Sequence, residues 1–580
     1  MKPRTKKILL LLFIFSLAFI LRFYKLGIVP DGLQQDESSL GYNAYSILLT
    51  GRDEHGVALP QNFQAFGEYK LPGYIYASVW PIYIFGLNPF AIRFVSALSG
   101  FLSVVVVYFL TKTLIHFFRS DPTVKESRLE EYLPYVTAFL VAINPSHLQF
   151  SRAAFEVMLA NFFILSAVLL FLRGIKKSET FIFFFSAIFF SLSIYTYNIA
   201  RIFVPLLVIA LFIVFWKDFF SRKKGSLILF ALTFLVCLAP FVIGVLTKGG
   251  ADSTLGTLIF SSAKVQAPLL EFRSYFVDFP TILNKLLFNS WLLTLWQYLQ
   301  NVAANLSIPF FFIKGSGNGI DGIGTTGQWY LFELPLVVLG LLRLWKEKSK
   351  GATIILFWIL SLIFISGFTR EPPQVTRTFF FIFPVTLCSG FGLIQVVRSV
   401  IAMKNNYLQR VIIGVSSVLV VYFIFLYFAS YYYRFPIYFA KNWRTGDRDV
   451  AAFIKSHENN YDKILIDEKS GFIYTSLLTY LPFSPREFQS SAIWKEEDSE
   501  GFTRPVSFGK YLIKDIDWTK DLLSSRTLIV TTVNNKPLEV VPKETIYYPL
   551  RPVVINVGQE IMQFPTKDDA YVLVDTGNLR

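Results

Sequence analysis

Over its first 430 residues this chain alternates long apolar runs with short basic segments, and that alternation leaves few folds open. The runs lie near residues 8–21, 91–111, 133–149, 156–172, 180–197, 202–216, 226–246, 331–345, 352–368, 378–397 and 411–430. A hydrocarbon core takes about 20 apolar residues per helical span, so the pattern predicts about eleven membrane helices. Composition agrees: 53% of the 580 residues are hydrophobic and 16% charged, against roughly 25% charged in a soluble domain. So few charges cannot cover a water-facing surface of this size. The expected fold is an all-α polytopic membrane bundle over residues 1–430, followed by a soluble α/β domain over residues 431–580.

A net charge of +15 is of the kind that nucleic-acid binding uses, but its distribution excludes such a partner. Residues 431–580 hold 19 Lys+Arg and 20 Asp+Glu, so the whole excess lies in the apolar part. There, 22 basic residues fall in short segments that alternate in step with the helices: Lys2 to Lys7, Lys112 to Arg128, Arg173 to Lys177, Lys217 to Lys224, Arg343 to Lys350 and Arg398 to Arg410. By the positive-inside rule these are cytoplasmic loops. That places the N-terminus in the cytoplasm and leaves residues 22–90, residues 248–330 and the tail outside an inner or plasma membrane. The first run has no small-x-small cleavage site and continues into Arg22, which predicts an uncleaved anchor. Cys237 and Cys388 lie in apolar runs and offer no disulfide framework.

The tail reads as strands at Lys463-Ile-Leu-Ile-Asp467, Arg526-Thr-Leu-Ile-Val-Thr531 and Tyr571-Val-Leu-Val-Asp575, with a helix over residues 447–458. It carries no nucleotide-binding glycine loop and no metal-spaced His/Cys cluster, and the chain has no internal repeat. His55 and His147 fall on the outer side without the spacing of a metal site.

The first outer segment is unusually rich in ionisable residues: Asp31, Asp36, Glu37, Asp53, Glu54 and Glu68 with Arg22, Lys25, Arg52 and Lys70. Two apolar stretches within it, residues 42–49 and 74–85, suit helices lying in the membrane interface. The ordinary reading of such charges is a solvated loop. The sharper one is that Asp36 and Glu37, adjacent carboxylates beside low-dielectric lipid, have a raised pKa and serve as a general base. Further polar groups mark the outer ends of helices: His147, Ser151-Arg152 and Glu156; Tyr195 to Arg201; and Thr369-Arg370-Glu371-Pro-Pro-Gln374-Val-Thr-Arg377. An outer arginine can snorkel to phospholipid headgroups. Yet Lys70, Arg152, Arg201 and Arg377 all lie on the side where Lys and Arg are disfavoured, and together they suit a lipid phosphate.

These motifs carry a resemblance. Asp36-Glu37-x-x-x-Gly41-Tyr42-Asn43-Ala44-Tyr45-Ser46, Thr50-Gly-x-Asp53-Glu54-x-Gly56 and Tyr69-Lys70-x-Pro72 resemble bacterial members of glycosyltransferase family 39. So do Phe85-Gly-Leu-Asn88-x-Phe-Ala-x-Arg93-x-x-Ser96-Ala97-Leu98 and Ser151-Arg152-x-x-Phe155-Glu156. This family belongs to the GT-C superfamily, with the protein O-mannosyltransferases and the lipid A aminoarabinose transferase. The likeness is best over residues 25–205.

It implies a membrane enzyme that moves a hexose or pentose from a polyprenyl-phosphate carrier to a protein, lipid or glycan acceptor on the outer face, with inversion. Asp36 resembles the catalytic Asp of the first loop, assisted by Glu37. Lys70, Arg201, Arg377 and Arg152 would hold the donor phosphate. Glu156, Asp53, Glu54 and Tyr42 would position the acceptor or a cation. No cofactor is implied, and a divalent metal stays open. Two departures stand out. Gln374-Val-Thr-Arg377 lacks the His that many relatives place before the Arg, and Asn318-Gly-Ile-Asp321-Gly stands where Arg-His is expected. Both point away from a His-assisted step and toward a shifted acceptor. The competing classes are a transporter or flippase of lipid-linked sugar, which would set its charges at the bilayer midplane, and a membrane anchor for the tail, which leaves the first outer segment unexplained.

Overall fold

The computed structural model describes residues 3–66, 68–118, 129–177, 179–222, 224–248, 263–276, 280–369, 372–496, 503–537, 539–540, 542–547, 551–557, 560–566 and 569–576. The basic residues Lys2, Arg119, Lys125, Arg128 and Lys223, part of the 248–330 segment, and Arg370 with Glu371 lie outside the described residues. The chain groups into two compact units. One comprises Met1–Tyr24, Leu98–Ser151 and Phe155–Phe428; the other comprises Lys25–Ala97, Arg152–Ala154 and Ala429–Arg580.

The first unit is helical. Every apolar run read from the sequence is largely helical, although the run at 133–149 breaks at Asn144-Pro145 into helices Leu133–Ile143 and Pro145–Ser151 and that at 202–216 divides between Ala200–Val214 and Trp216–Arg222. Among the described residues five helices are long and apolar enough to cross a membrane: Pro89–Phe117, Glu156–Lys177, Gly225–Gly244, Val375–Ile401 and Asn406–Tyr438. Thr180–Ile194, Ala200–Val214 and Lys350–Ser366 are shorter apolar helices. Ile228, Leu235, Val236, Val418, Val421 and Phe425 are all more than half exposed. Such a skin of bare Ile, Val, Leu and Phe is stable only against lipid, and the protein is integral to a membrane.

Between helices that are both apolar, hydrophobic burial gives no net attraction in lipid, so close backbone packing has to supply it. Helices Glu333–Lys346 and Ile382–Ile401 do this through glycine. A Cβ at Gly340 would sit 2.0 Å from the carbonyl oxygen of Cys388, and one at Gly392 the same distance from that of Leu336. The first helix, Pro3–Phe23, is pinned at its end by Arg22. This arginine does not snorkel. It is fully buried and donates to the carbonyls of Ala18, Val141 and Ala142 and to Nδ1 of His147 at 2.8 Å. Capping the last carbonyls of Leu133–Ile143 satisfies acceptors that the helix itself cannot.

The second unit joins the ionisable segment that follows the first helix to the tail. Both stretches read as interfacial are helical, as Gln35–Thr50 and Pro72–Phe85, with a short antiparallel hairpin, Phe63–Ala65 with Glu68–Lys70, between them. The tail builds a seven-stranded mixed sheet in the order Ile493–Trp494, Pro505–Phe508, Tyr511–Lys514, Lys463–Asp467, Thr527–Thr531, Asp569–Asp575, Glu544–Tyr547. Lys463–Asp467, the expected buried strand, is central and parallel to both neighbours. The expected helix is present as Thr445–Ser456. Tyr42, Ala65 and Phe66 of the outer segment belong to the same apolar core as Val450, Ile466, Leu477, Phe488 and Leu573.

Replacing Gly340 or Gly392 by leucine is expected to force the two helices apart at a cost of about 3 kcal/mol or more. Gly414, with open space where its Cβ would be, is expected to accept the same change. The fraction of monodisperse protein surviving graded heating in detergent distinguishes the three variants; equal survival would remove close packing as the reason for these glycines.

Candidate active site

Asp36 occupies the first turn of helix Gln35–Thr50, where unpaired backbone N–H groups favour anions. Gln34 caps the helix: its Oε1 accepts from the Asp36 N–H at 2.6 Å while its Nε2 donates to Asp36 Oδ2 at 3.0 Å. Lys70, the last residue of the hairpin, donates from Nζ to Asp36 Oδ1 at 2.6 Å. The pair is asymmetric, since the Lys70 side chain is 6% exposed and that of Asp36 42%. One carboxylate oxygen is anchored from beneath, and the group remains open to a substrate. Burial acts to raise the Asp36 pKa, but the Lys70 ammonium and the Gln34 amide outweigh it and hold the carboxyl below the usual range. The expectation of a raised pKa is therefore reversed at Asp36, and the cause is Lys70.

Glu37 is placed quite differently. It is buried and forms a bidentate pair with Arg93, Nε to Oε1 and Nη2 to Oε2, both at 2.9 Å. The Ala154 N–H donates to Oε1 at 2.8 Å and the Gln34 N–H to Oε2 at 3.2 Å. Arg93 spends its other donors on the carbonyls of Leu26, Pro30 and Gly32. Arg152 is likewise buried: it donates to Tyr431 Oη and to the carbonyls of Lys25 and Val29, with its guanidinium 5.4 Å from the Tyr431 and Tyr432 ring centres.

Three more expected site residues lie in this unit, away from open surface. Tyr42 is buried, donating to the Phe483 carbonyl and packing edge-on against Phe488. Asp53 shapes the 51–57 turn by accepting from the His55 and Val57 N–H groups. Glu54 is buried against Asn43, which donates from Nδ2 at 2.9 Å and accepts from the Glu54 N–H. Burial pushes the Glu54 carboxyl up to about 8. His55 stacks on Trp494 with ring centres 4.0 Å apart, and burial drops its imidazole to about 4.

The remaining expected residues belong to the helical unit. Arg377 donates from Nη1 to Tyr197 Oη at 3.3 Å, and Tyr197 Oη donates to the Thr376 carbonyl. Tyr197 also lies within electrostatic reach of Glu156 and Asp321. Arg201 places its guanidinium 4.5 Å from the Phe241 ring centre. Among the described residues no group of three or more His, Cys, Asp or Glu side chains is assembled that could hold a metal ion. The structure also reveals Arg93, Gln34 and Tyr197, to which the sequence reading assigned no role. An arginine inside an apolar helix is a recognisable signal for the first; Gln34 and Tyr197 carried none.

No family model matches the sequence, and no curated protein matches it. Solved structures do match. ArnT from Cupriavidus metallidurans bound to undecaprenyl phosphate is 12% identical with a TM-score of 0.53, and the alignment covers 98% of each chain. Its apo form, also 12% identical, gives 0.52 and covers 98% of this chain and 97% of that one. The fold is therefore like that of ArnT. The archaeal oligosaccharyltransferase AglB from Archaeoglobus fulgidus, in complex with an inhibitory peptide and a dolichol-phosphate, is 14% identical with a TM-score of 0.43; the match covers 82% of this chain and 63% of AglB, so this chain spans under two thirds of its length.

The two shifted groups beside Asn43 and Trp494 predict a pH signature. Folded Glu54 keeps its proton up to about pH 8, whereas the unfolded chain loses it above about 4.3. The fold thus holds the extra proton, and stability falls by up to about 1.4 kcal/mol per pH unit as pH rises through this window. His55 acts in the opposite sense below its ordinary value near 6.5, so the loss is expected cleanly between about pH 6.5 and 8. Melting curves of the wild type and Glu54→Gln across this range check it: the wild type should lose stability relative to the variant. Parallel curves would show that Glu54 is already ionised in the fold.

Proposed function

We propose that the chain is a glycosyltransferase that moves a sugar from a polyprenyl-phosphate carrier to an acceptor hydroxyl on the outer face of the membrane. The observation that carries this reading is Asp36: an accessible carboxylate, kept anionic by a buried lysine, on the helix that bears the family-39-like motif. The ArnT fold supports the reaction class. On this reading the enzyme spans the membrane about eleven times, with its N-terminus in the cytoplasm and residues 431–580 outside.

The chemistry balances without a cofactor. The acceptor oxygen forms a bond to the anomeric carbon as the bond from that carbon to the phosphate oxygen breaks. The hydroxyl proton passes to Asp36, and the bonding electrons leave with the polyprenyl phosphate. Attack in one step inverts the anomeric centre. General-base catalysis of this kind contributes about 10²–10⁴ in rate. Lys70 sets the charge of Asp36. Arg201 and Arg377 are the proposed phosphate ligands, and the resemblance would add Lys70. Glu37 and Arg152, both saturated by internal partners, act as positioning residues. Glu156 is the proposed acceptor-orienting group; Asp53, Glu54 and Tyr42 support the first outer segment from within.

Supplied with undecaprenyl-phosphate sugars and a membrane extract as acceptor, purified Asp36→Asn is expected to release carrier about 10²–10⁴ times more slowly than wild type. Release at the wild-type rate by a properly folded variant would overturn the assignment. Arg377→Ala is expected to weaken donor binding, read as a raised KM; an unchanged KM would exclude it as a phosphate ligand.

A further inference from the structure

The helical unit contains a cavity that the residues assigned so far do not use. Residues 315–328, with six glycines in fourteen positions, border it together with the Pro145–Ser151 helix. It is lined by Ser146, Gln149, Asp321, Gln328, Val375 and Tyr427 and has room of about 10 Å³. That volume holds a single water-sized group.

Two of the lining amides are buried and half satisfied. Gln149 Nε2 donates to the Ile320 carbonyl at 2.9 Å, and Gln328 Oε1 accepts from Thr378 Oγ1 at 3.1 Å. Their other ends, Gln149 Oε1 and Gln328 Nε2, have no hydrogen-bond partner among the described residues. An unmatched buried polar atom costs about 1–3 kcal/mol, so two such atoms on residues that line one small cavity point to an absent occupant. One is an acceptor and the other a donor. A bare cation would be repelled by the Gln328 amide hydrogens, and an anion by Gln149 Oε1 and the Asp321 carboxylate. A hydroxyl satisfies both, because it donates and accepts at one oxygen.

The cavity adjoins the turn that carries Arg377. Val375 lines it, Arg377 stands in the same turn, Val375–Thr378, and Asp321 shares the electrostatic surroundings of Tyr197 with Arg377. We propose that this cavity is the subsite for one hydroxyl of the donor sugar, a reading that rests on the glycosyltransferase assignment. With the phosphate at Arg377, the attached sugar extends toward Asp321 and seats a hydroxyl between Gln149 and Gln328.

Full-length protein in lipid nanodiscs tests this by equilibrium binding. The probes are undecaprenyl phosphate and undecaprenyl phosphate bearing mannose, glucose or 4-amino-4-deoxyarabinose. Wild type is expected to bind at least one sugar-bearing carrier more tightly than the bare one. Gln149→Leu and Gln328→Leu are each expected to reduce that preference about tenfold, the worth of a buried hydrogen bond, with bare-carrier affinity unchanged. Singly deoxygenated versions of the preferred sugar, tested on the wild type alone, need no variant to fold: removing one particular hydroxyl should erase the preference.

The proposal is overturned by a preference that survives both substitutions, which would mean a water only. It is also overturned by equal weakening of bare and sugar-bearing carriers, by no wild-type preference, or by no sensitivity to any deoxygenation. A wild type that binds neither bare nor sugar-bearing carrier is a different failure, since it removes the transferase reading itself.

Discussion

Arg93 is the group on which the outer-segment unit depends. Its guanidinium is fully buried and makes five hydrogen bonds: two to Glu37 and one each to the carbonyls of Leu26, Pro30 and Gly32. One side chain thereby joins the chain leaving the first helix, the start of helix Gln35–Thr50 and the helix that begins at Pro89. Burying a guanidinium and a carboxylate costs several kcal/mol per ion, and the pair is tolerable only because every lone pair and proton is matched. Removing either partner leaves a bare buried charge, a loss of about 3–5 kcal/mol in comparable pairs. The position of Asp36 follows from this arrangement, because it sits one residue before Glu37 on the same rigid turn.

Much of the fold was legible from the sequence because membrane burial writes itself in long apolar runs. Each run is largely helical, and the tail strand Lys463–Asp467 has the boundaries its composition implied. The break at Asn144-Pro145 was marked by the proline but lay inside one continuous apolar stretch, and hydropathy averages over such a break. Helix-to-helix contact was less visible. Gly340 and Gly392 look like ordinary glycines in apolar runs, and their meaning lies in a carbonyl of another helix, Cys388 or Leu336. Long-range pairing of this kind has no local signature.

The candidate site was legible in its residue types and much less so in its roles. The outer-side arginines were grouped because positive charge is disfavoured there, which is an argument about cost. The structure shows two ways of meeting that cost. Arg22, Arg93 and Arg152 meet it with backbone carbonyls and internal partners; Arg377 meets it with the Tyr197 hydroxyl, within electrostatic reach of Glu156 and Asp321. Sequence alone cannot separate these, since both are single arginines at helix ends. What separates them is whether carbonyls freed by a helix terminus or turn lie within reach.

Helix geometry explains why the adjacent carboxylates divide. Residues one apart on an α-helix project about 100° from each other and cannot face the same partner. If Glu37 turns inward to Arg93, Asp36 must turn aside, and it does so toward Lys70 and open space. The two neighbours therefore solve opposite problems. Glu37 is saturated by four donors and has no lone pair to offer a substrate. Asp36 has one oxygen held by an ammonium from below and the other by a neutral amide, and nearly half its side chain is exposed. A carboxylate in that state is charged at neutral pH, and a neutral amide is a weak enough partner to yield to an incoming hydroxyl. Raising its pKa would favour proton uptake, but at the cost of leaving a growing fraction of the base already protonated. On the proposed reading Lys70 fixes the other choice: a weaker base that is always ready, with the driving force left to the departure of a phosphate.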